Sequence, residues 1–358
     1  MKFLVISCGN ADYDGRLREL LKVCNDLGDV SCYSYGSKEL FRGHHLYGSG
    51  VSYGQFIRNV LKDAGKEEAD VIFVDNRRAT IPAMLLNRKK KAKLILDCRE
   101  LYDASQFKEL FNKIGCMAER RCAKKADILI CANSFRADYM EKHWGTRRPI
   151  VFENVRKLEY DEETMDKAAE LIDPYLGEDE IRIVSTYGCS VDRTNDVLVR
   201  NINKIDGNVK VFLVGSSGKE DEDTIRRIVK EQKAEDKVVI LRQMNQTELK
   251  YLISRSHIGV VNYNQKDLNN KYCASGKIYE FVYEGIPVIT TENPPLKKIC
   301  SDFGVGESDD EYYNGINKLI ANYDQYKGNV NAYVSTHEVD DNNRILSEKL
   351  REELKING

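Results

Sequence analysis

Strand-like and helix-like segments alternate along both halves of this chain, and this alternation constrains its fold more than any other feature. Residues 16–26 show the helical pattern, with apolar side chains at Leu17, Leu20, Leu21 and Cys24. Strand–helix alternation predicts parallel sheets covered on both faces. The predicted strands are 2–7, 30–35, 71–74, 92–97, 127–131, 150–153, 181–186, 210–214, 237–241, 258–261 and 288–290.

The length of 358 residues and an acidic segment near the middle predict two domains. We predict an N-terminal Rossmann-like domain over 1–155, a linker over 156–180 and a C-terminal Rossmann-like domain over 181–335. The last residues, 336–358, read as a helix that crosses back to the first domain. The predicted fold class is therefore α/β, with two doubly wound domains facing a cleft. Ligands of such sheets bind beyond the carboxyl ends of the strands.

The composition narrows the setting in which the chain works. Ten cysteines are scattered without a C-x-x-C pair, which favours reduced thiols and no structural metal. No apolar run approaches the ~18–20 residues of a membrane span. The first residues enter a strand pattern directly and lack the features of a signal peptide. We therefore expect a cytoplasmic protein.

The two halves carry opposite charge, with 27 basic and 19 acidic residues in 1–150 but 28 and 38 in the remainder. The basic half predicts either an anionic partner or only solvated helix faces of opposite sign. Residues 107–117 add Phe107, Leu110, Phe111, Ile114 and Met117 at helical spacing, close to a basic run at 120–125. Such a helix either attaches peripherally to the anionic inner face of a membrane or packs into its own domain.

Residues 270–289, NKYCASGKIYEFVYEGIPVI, hold the pattern most suggestive of chemistry. Ser275 and Gly276 precede a short helix with Lys277 in its first turn and Glu280 on the same face. Free amides at a helix start together with an ammonium group form a pyrophosphate site. Glu280 would then accept hydrogen bonds from a ribose diol. The alternative is an ordinary helix–glycine–strand connection with a surface Lys–Glu pair.

This stretch resembles the donor-site signature of glycosyltransferase family 4 and its relatives of the GT-B fold. Other segments resemble the same family in order and spacing, namely 14–30, 118–134, 183–193, 211–218 and 239–252. The resemblance implies a GT-B fold and retaining transfer of a hexose-type sugar. The donor would be a nucleotide diphosphate sugar and the acceptor a hydroxyl of a glycan or lipid-linked acceptor, in polysaccharide or glycoconjugate biosynthesis.

The resemblance also implies roles for individual residues. Arg193 and Lys277 would bind the donor diphosphate and Glu280 the ribose hydroxyls, so these three form the predicted catalytic set. Glycine at 188 would let the backbone approach the phosphates closely. The implied donor-binding positions are Gly9, Gly188, Met244, Ser275 and Gly276. No cofactor, metal or nucleic acid is implied.

Two positions depart from the family pattern. Tyr272 stands where relatives often have a glutamate that contacts the donor sugar, and Arg99 stands where they often have histidine. Arginine stays protonated and cannot act as a base. Arg99 and Glu100 either position the acceptor or form an ion pair at the strand end. The departures keep a catalytically silent subunit as an alternative; a sugar-nucleotide epimerase is another, although no carboxylate–histidine set supports it.

Two acidic strings, 221–223 and 308–311, resemble metal-binding Asp-x-Asp motifs. Each opens a predicted helix, where acidic side chains favour the positive end of the helix dipole. We interpret both strings as helix starts and predict no metal ligands.

Overall fold

The computed structural model describes residues 1–356, and the chain divides into two compact units that each contain one parallel sheet. The first unit is Met1–Asn154 with the chain from Asp340 onward, and the second is Val155–Val339. The strands of the first unit are β1 (Lys2–Asn10), β2 (Asp29–Tyr35), β3 (His44–Tyr47), β4 (Val71–Asp75), β5 (Lys93–Cys98), β6 (Ile128–Cys131) and β7 (Ile150–Val151). The strands of the second are β8 (Ile181–Ser185), β9 (Val209–Val214), β10 (Val238–Leu241), β11 (Ile258–Val261), β12 (Val288–Thr290) and β13 (Gly306–Ser308).

Both sheets have the strand order of a doubly wound fold, β3-β2-β1-β4-β5-β6-β7 and β10-β9-β8-β11-β12-β13. The order reverses once in each sheet, beside β1 and beside β8, where such folds bind ligands. The predicted fold class is confirmed. Strands β3 and β13 were not anticipated; both are short and lie at sheet edges.

Helices cover the two sheets. Those of the first unit are α1 (Gly15–Leu27), α2 (Tyr53–Asp63), α3 (Thr80–Lys90), α4 (Leu110–Ala123) and α5 (Ser134–Tyr139). Those of the second are α6 (Met165–Ile172), α7 (Asn195–Arg200), α8 (Lys219–Gln232), α9 (Gln246–Ser254), α10 (Leu268–Lys271), α11 (Lys277–Tyr283), α12 (Pro294–Phe303), α13 (Tyr313–Ala321) and α14 (Tyr323–Thr336). The last helix is α15 (Val339–Leu354). Within residues 1–356, none of the helices has both the length and the apolar character to cross a bilayer.

The segment predicted to be a linker, 156–180, packs as part of the second unit. Leu158, Ala168 and Ile172 are buried in the core of that unit, and α6 lies within the segment. Strongly acidic stretches separate these apolar residues along the sequence, so the helical pattern was not recognisable. The domain junction therefore lies at Asn154–Val155, and no separate linker follows it.

The terminal helix α15 belongs to the first unit. Leu346, Leu350 and Leu354 are at most 3% exposed and join the core that contains β1 and α1. Their spacing of four residues places them on one helix face, so the helix buries a single apolar stripe. Ile345 on the same helix is 41% exposed.

Replacing Leu350 by alanine should destabilise the protein by about 2–5 kcal/mol, because the substitution leaves a cavity in the first core. The matched control is Ile345→Ala, which removes a similar volume from the exposed side. Urea unfolding of both variants measures the difference. Equal losses in the two would show that α15 does not pack as described.

Helix α4 buries a carboxylic acid. Glu119 is 1% exposed, and its Oε1 accepts no hydrogen bond from residues 1–356. Burial raises the pKa of Glu119 to about 8, opposed by the guanidinium of Arg77 and assisted by the charge of Glu100. Glu119 is therefore held largely as the neutral acid near neutral pH.

Glu119 makes stability depend on pH. The unfolded pKa is about 4.3, so the folded state binds the proton more tightly. This contribution is complete below about pH 4 and is lost as pH rises through about 8. Glu119→Gln should therefore gain stability relative to the wild type from about pH 5 to about pH 9. Thermal unfolding across this range measures the gain, with Glu178→Gln, at an exposed position of the second unit, as the control. Parallel wild-type and Glu119→Gln curves would contradict it.

Candidate functional site

A cavity of about 370 Å³ lies at the carboxyl end of the second sheet. The loops that follow β8, β9 and β10 form it together with the start of α11. This is the edge at which doubly wound sheets bind ligands. The lining residues are Thr186, Tyr187, Ser190, Arg193, Val214, Gly215, Ser216, Gln243, Met244, Leu249 and Lys277. Three of the predicted site residues, Arg193, Lys277 and Met244, are thus brought to one cavity.

Arg193 is held by aromatic rings. Its guanidinium carbon lies 4.1 Å from the ring centre of Tyr263 and 5.1 Å from that of Tyr187. One nitrogen also donates to Asn270 Oδ1 at 3.2 Å. Within residues 1–356, no carboxylate forms an ion pair with Arg193. Stacking orients the guanidinium without neutralising it, so it presents its charge to the cavity.

Lys277 is positioned by a buried carboxylate. Its Nζ donates to Glu280 Oε2 at 2.9 Å, and Arg156 Nη2 lies 2.5 Å from Glu280 Oε1. Glu280 is only 3% exposed, while the side chain of Arg156 is 47% exposed. Two cations and one carboxylate leave this triad with a net positive charge. Glu280 therefore contacts protein cations through both oxygens, whereas the resemblance implied a ribose contact alone.

Three of the residues that shape this site were not predicted. Tyr187 and Tyr263 each lie two residues beyond the end of a strand, so the rule for ligand sites in doubly wound sheets would have indicated them. Arg156 has no comparable signal. It follows the domain junction and meets Glu280 only through the tertiary fold.

The start of α11 differs from the predicted arrangement of free amides. The Lys277 amide donates to Ser275 Oγ at 3.3 Å, so Ser275 acts as a local capping residue. Gly276 occupies the position before the helix, which is seven residues long. Arg193 and Lys277 therefore supply formal positive charge to the cavity, and one amide of the helix start is engaged within the protein.

Gly188 is required for contact between two loops. It has φ of +57°, and a Cβ there would lie 3.0 Å from the carbonyl oxygen of Gly215 and 3.2 Å from that of Ser216. Its amide donates to the Val214 carbonyl at 2.8 Å, and its carbonyl accepts from Asn195 Nδ2 at 2.7 Å. The predicted reason for this glycine was close approach to phosphate. The structure shows a further reason, because the backbone of the neighbouring loop lies where a Cβ would be, and the phosphate contact stays a prediction.

The acidic strings serve as helix starts and turns. Residues 221–223 lie at the beginning of α8. Asp309 accepts from the amides of Glu311 and Gly315, both at 3.0 Å, and Asp310 accepts from the amide of Glu292 at 2.8 Å. In the part of the chain that the structure describes, no three His, Cys, Asp or Glu side chains are grouped to hold a metal ion.

In the first unit, Arg99 is paired with buried carboxylates. Its Nη2 donates to Asp75 Oδ2 at 2.8 Å, and further hydrogen bonds reach Asp75 Oδ1 and Asp14. Glu100 is exposed and takes part in no ion pair within residues 1–356. Arg99 is thus in ion pairs at the strand end, with Asp75 and Asp14 and not with Glu100, and acceptor positioning by Arg99 and Glu100 stays a prediction.

The same edge contains a second buried pair. Arg16 donates to both carboxylate oxygens of Asp97 at 2.7 Å and to the Phe152 carbonyl at 2.8 Å. Gly9 lies next to Asp14, one of the partners of Arg99. A Cβ at Gly9 would overlap the carboxylate of Asp14. Gly9 thus makes room for Asp14 within the first unit.

The pKa values of the Arg99 cluster reflect burial and pairing. Burial raises the pKa of Asp75 to about 6, although Arg99 acts in the opposite direction. Burial by itself would lower the pKa of Arg99, but Asp75, Asp14 and Asp97 hold it above its usual value. Arg99 therefore stays charged and its donors are engaged inside the protein.

No protein-family model and no protein of curated function matches this sequence. Solved structures do match. Sucrose-phosphate synthase from Thermosynechococcus elongatus matches with a TM-score of 0.75 and 15% identity over 100% of both chains. HepE of Anabaena in complex with UDP matches with a TM-score of 0.74 and 15% identity, over 98% of this chain and 100% of that one.

The same architecture also occurs in a protein of another type. UDP-GlcNAc 2-epimerase from Neisseria meningitidis, bound to UDP-GlcNAc, matches with a TM-score of 0.57 and 10% identity over 98% of this chain and 100% of that one. These similarities confirm the predicted GT-B fold. At such identities they establish the fold alone, since one fold hosts several reactions.

Replacing Arg99 by alanine should cost about 3–5 kcal/mol of unfolding free energy, because it leaves the Asp75 and Asp14 carboxylates without their cation. Glu100→Ala, a substitution of the exposed neighbour, should change stability by less than about 0.5 kcal/mol. Chemical denaturation of the two variants compares them. A stable Arg99→Ala protein would refute the structural role of this ion pair.

Proposed function

We propose that the cavity of the second unit binds a nucleotide diphosphate sugar and that the protein is a glycosyltransferase. It moves a hexose-type sugar to a hydroxyl acceptor with retention, in polysaccharide or glycoconjugate biosynthesis. The observation that carries this proposal is the position of Arg193 and Lys277 on one cavity at the carboxyl ends of β8, β9 and β10. Two fixed cations on a hydroxyl-rich cavity suit a diphosphate.

The cations would stabilise the leaving group. In the reaction, the bond from the sugar anomeric carbon to the diphosphate oxygen breaks and negative charge develops on the diphosphate. Arg193, already oriented by Tyr263 and Tyr187, and Lys277, already oriented by Glu280, would meet that charge without rearrangement. Such preorganised charge is usually a large part of catalysis.

The acceptor would lose its proton to the departing diphosphate. The acceptor oxygen bonds to the anomeric carbon on the face that the diphosphate leaves, and its proton passes to a diphosphate oxygen. This route requires no protein base at Arg99, whose donors are engaged by Asp75 and Asp14.

We also propose that no divalent metal is needed, since protein cations neutralise the diphosphate.

Part of the cavity lining suits a nucleobase. Val214, Met244 and Leu249 are apolar lining residues, and Gln243 is a further lining residue that can form hydrogen bonds. HepE structures contain UDP and UDP-glucose, and this supports a nucleotide-sugar donor for a chain of the same fold. UDP and UDP-glucose are therefore the first probes to test.

Thermal shift with UDP, GDP, ADP, CMP and dTDP and their sugar conjugates, with and without EDTA, tests the donor site. A ligand that binds only the folded protein raises its melting temperature. We expect a shift with one base that EDTA leaves unchanged. Transfer assays with the corresponding sugar conjugate then report the configuration of the product.

Arg193→Ala and Lys277→Ala should each raise donor KM or lower kcat by about ten- to a thousand-fold, since each removes a charge-assisted contact worth ~2–4 kcal/mol. Arg200→Ala and Lys298→Ala are matched controls, because both side chains are half exposed and lie outside the cavity. Unchanged kinetics in both cavity variants would refute the phosphate site.

Two other results would favour the alternative functions. No shift of the melting temperature with any nucleotide would favour a silent subunit. Conversion of a free nucleotide sugar without acceptor would favour an epimerase.

A further inference from the structure

Helix α4 turns an apolar surface to solvent. Leu110 is 71% exposed, Phe111 55%, Ile114 47% and Met117 64%. With 3.6 residues per turn, Leu110, Ile114 and Met117 lie along one side of the helix and Phe111 lies beside them. Single exposed apolar side chains are ordinary, but a contiguous group of four marks an interaction surface. We call these four residues the α4 face.

The α4 face is not part of the hydrophobic core of the first unit. The buried side of α4 is formed instead by Cys116, Glu119, Cys122 and Ala123. A helix that buries a carboxylic acid and exposes four large apolar side chains has the reverse of the usual arrangement for a surface helix. The alternative in which these apolar residues pack into their own domain is therefore wrong for Leu110, Ile114 and Met117. It holds for Phe107, which packs against Arg77, and in part for Phe111, which is 55% exposed but contacts Tyr53.

Neighbouring contacts hold α4 in this orientation. Arg77 donates to Cys116 Sγ at 3.3 Å on the buried side. Phe107, just before the helix, packs against Arg77 with its ring centre 5.2 Å from the guanidinium carbon. The Phe111 ring meets the edge of Tyr53 at 5.7 Å between centroids. The α4 face is thus presented by a fixed helix.

Cations border the α4 face. Arg121 follows Met117 by one turn on the same side of the helix, and Lys113 and Lys124 lie along its edge. None of these three forms an ion pair with any residue from 1 to 356. On the helix and its N-cap, the carboxylates are Glu109 at the start and the buried Glu119. The exposed side of the helix itself therefore carries a net positive charge.

We propose that the α4 face docks on the surface of an anionic membrane. The four apolar side chains enter the boundary between headgroups and acyl chains, and Arg121, Lys113 and Lys124 meet the lipid phosphates. Charge complementarity favours lipid over a second copy of this chain, because a symmetric contact would bring like charges together. The proposal is independent of the transferase activity, since it rests on the first unit alone.

Vesicle sedimentation of the full chain tests this docking. We expect the protein to pellet with phosphatidylglycerol-containing vesicles, to stay in the supernatant with pure phosphatidylcholine, and to be released by high salt. Phe111→Ser combined with Met117→Ser should lower the bound fraction at least tenfold. Arg121→Glu combined with Lys124→Glu should do the same, because the phosphate contacts become repulsive.

Matched variants separate the α4 face from general effects. Tyr175→Ser with Ile345→Ser removes two exposed apolar side chains elsewhere, and Lys142→Glu with Lys219→Glu reverses two exposed charges elsewhere. Both control proteins should bind vesicles as the wild type does. Wild type that stays in the supernatant at low salt, or controls that lose binding as much as the α4 variants, would overturn the proposal. So would a change of oligomeric state on gel filtration caused by the α4 variants, since that assigns the face to a second copy.

Discussion

Parallel strand pairing is the constraint on which the rest of this structure depends. Every neighbouring pair of strands runs in the same direction, so each connection must cross over the sheet and all strand carboxyl ends lie on one edge. Residues far apart in sequence, such as Thr186, Gly215 and Met244, therefore meet at that edge of the second sheet. The corresponding edge of the first sheet gathers Asp75 and Arg99.

The charged side chains at the carboxyl edges of the two sheets have different kinds of partner. In the first unit, carboxylates and guanidinium groups neutralise one another, and the buried Asp75 and Asp97 are each matched by an arginine. In the second unit, Arg193 is held by aromatic rings instead of a carboxylate. At the second edge, a guanidinium without a carboxylate partner among residues 1–356 therefore lies beside a cavity. This difference explains why a proposal for an anionic ligand rests on the second unit.

The fold was predictable because hydrophobic periodicity is local, whereas much of the site was not. The Lys277 motif and its neighbour Glu280 lie on one short helix, so spacing alone placed them together. Arg156 reaches Glu280 only through tertiary structure, which no local pattern reports. The sequence also could not show that Met117 points outward, because a periodic apolar stripe does not reveal which side of a helix packs against the core.

The close contact between Gly188 and Gly215 has a consequence for how this cavity changes. A side chain on either glycine would meet the backbone of the other. The loops after β8 and β9 are therefore coupled sterically. Lengthening or substituting one loop displaces the backbone of its neighbour. Any redesign of the cavity has to exchange both loops together, whereas the loop after β10, which carries Met244, is free of this particular constraint.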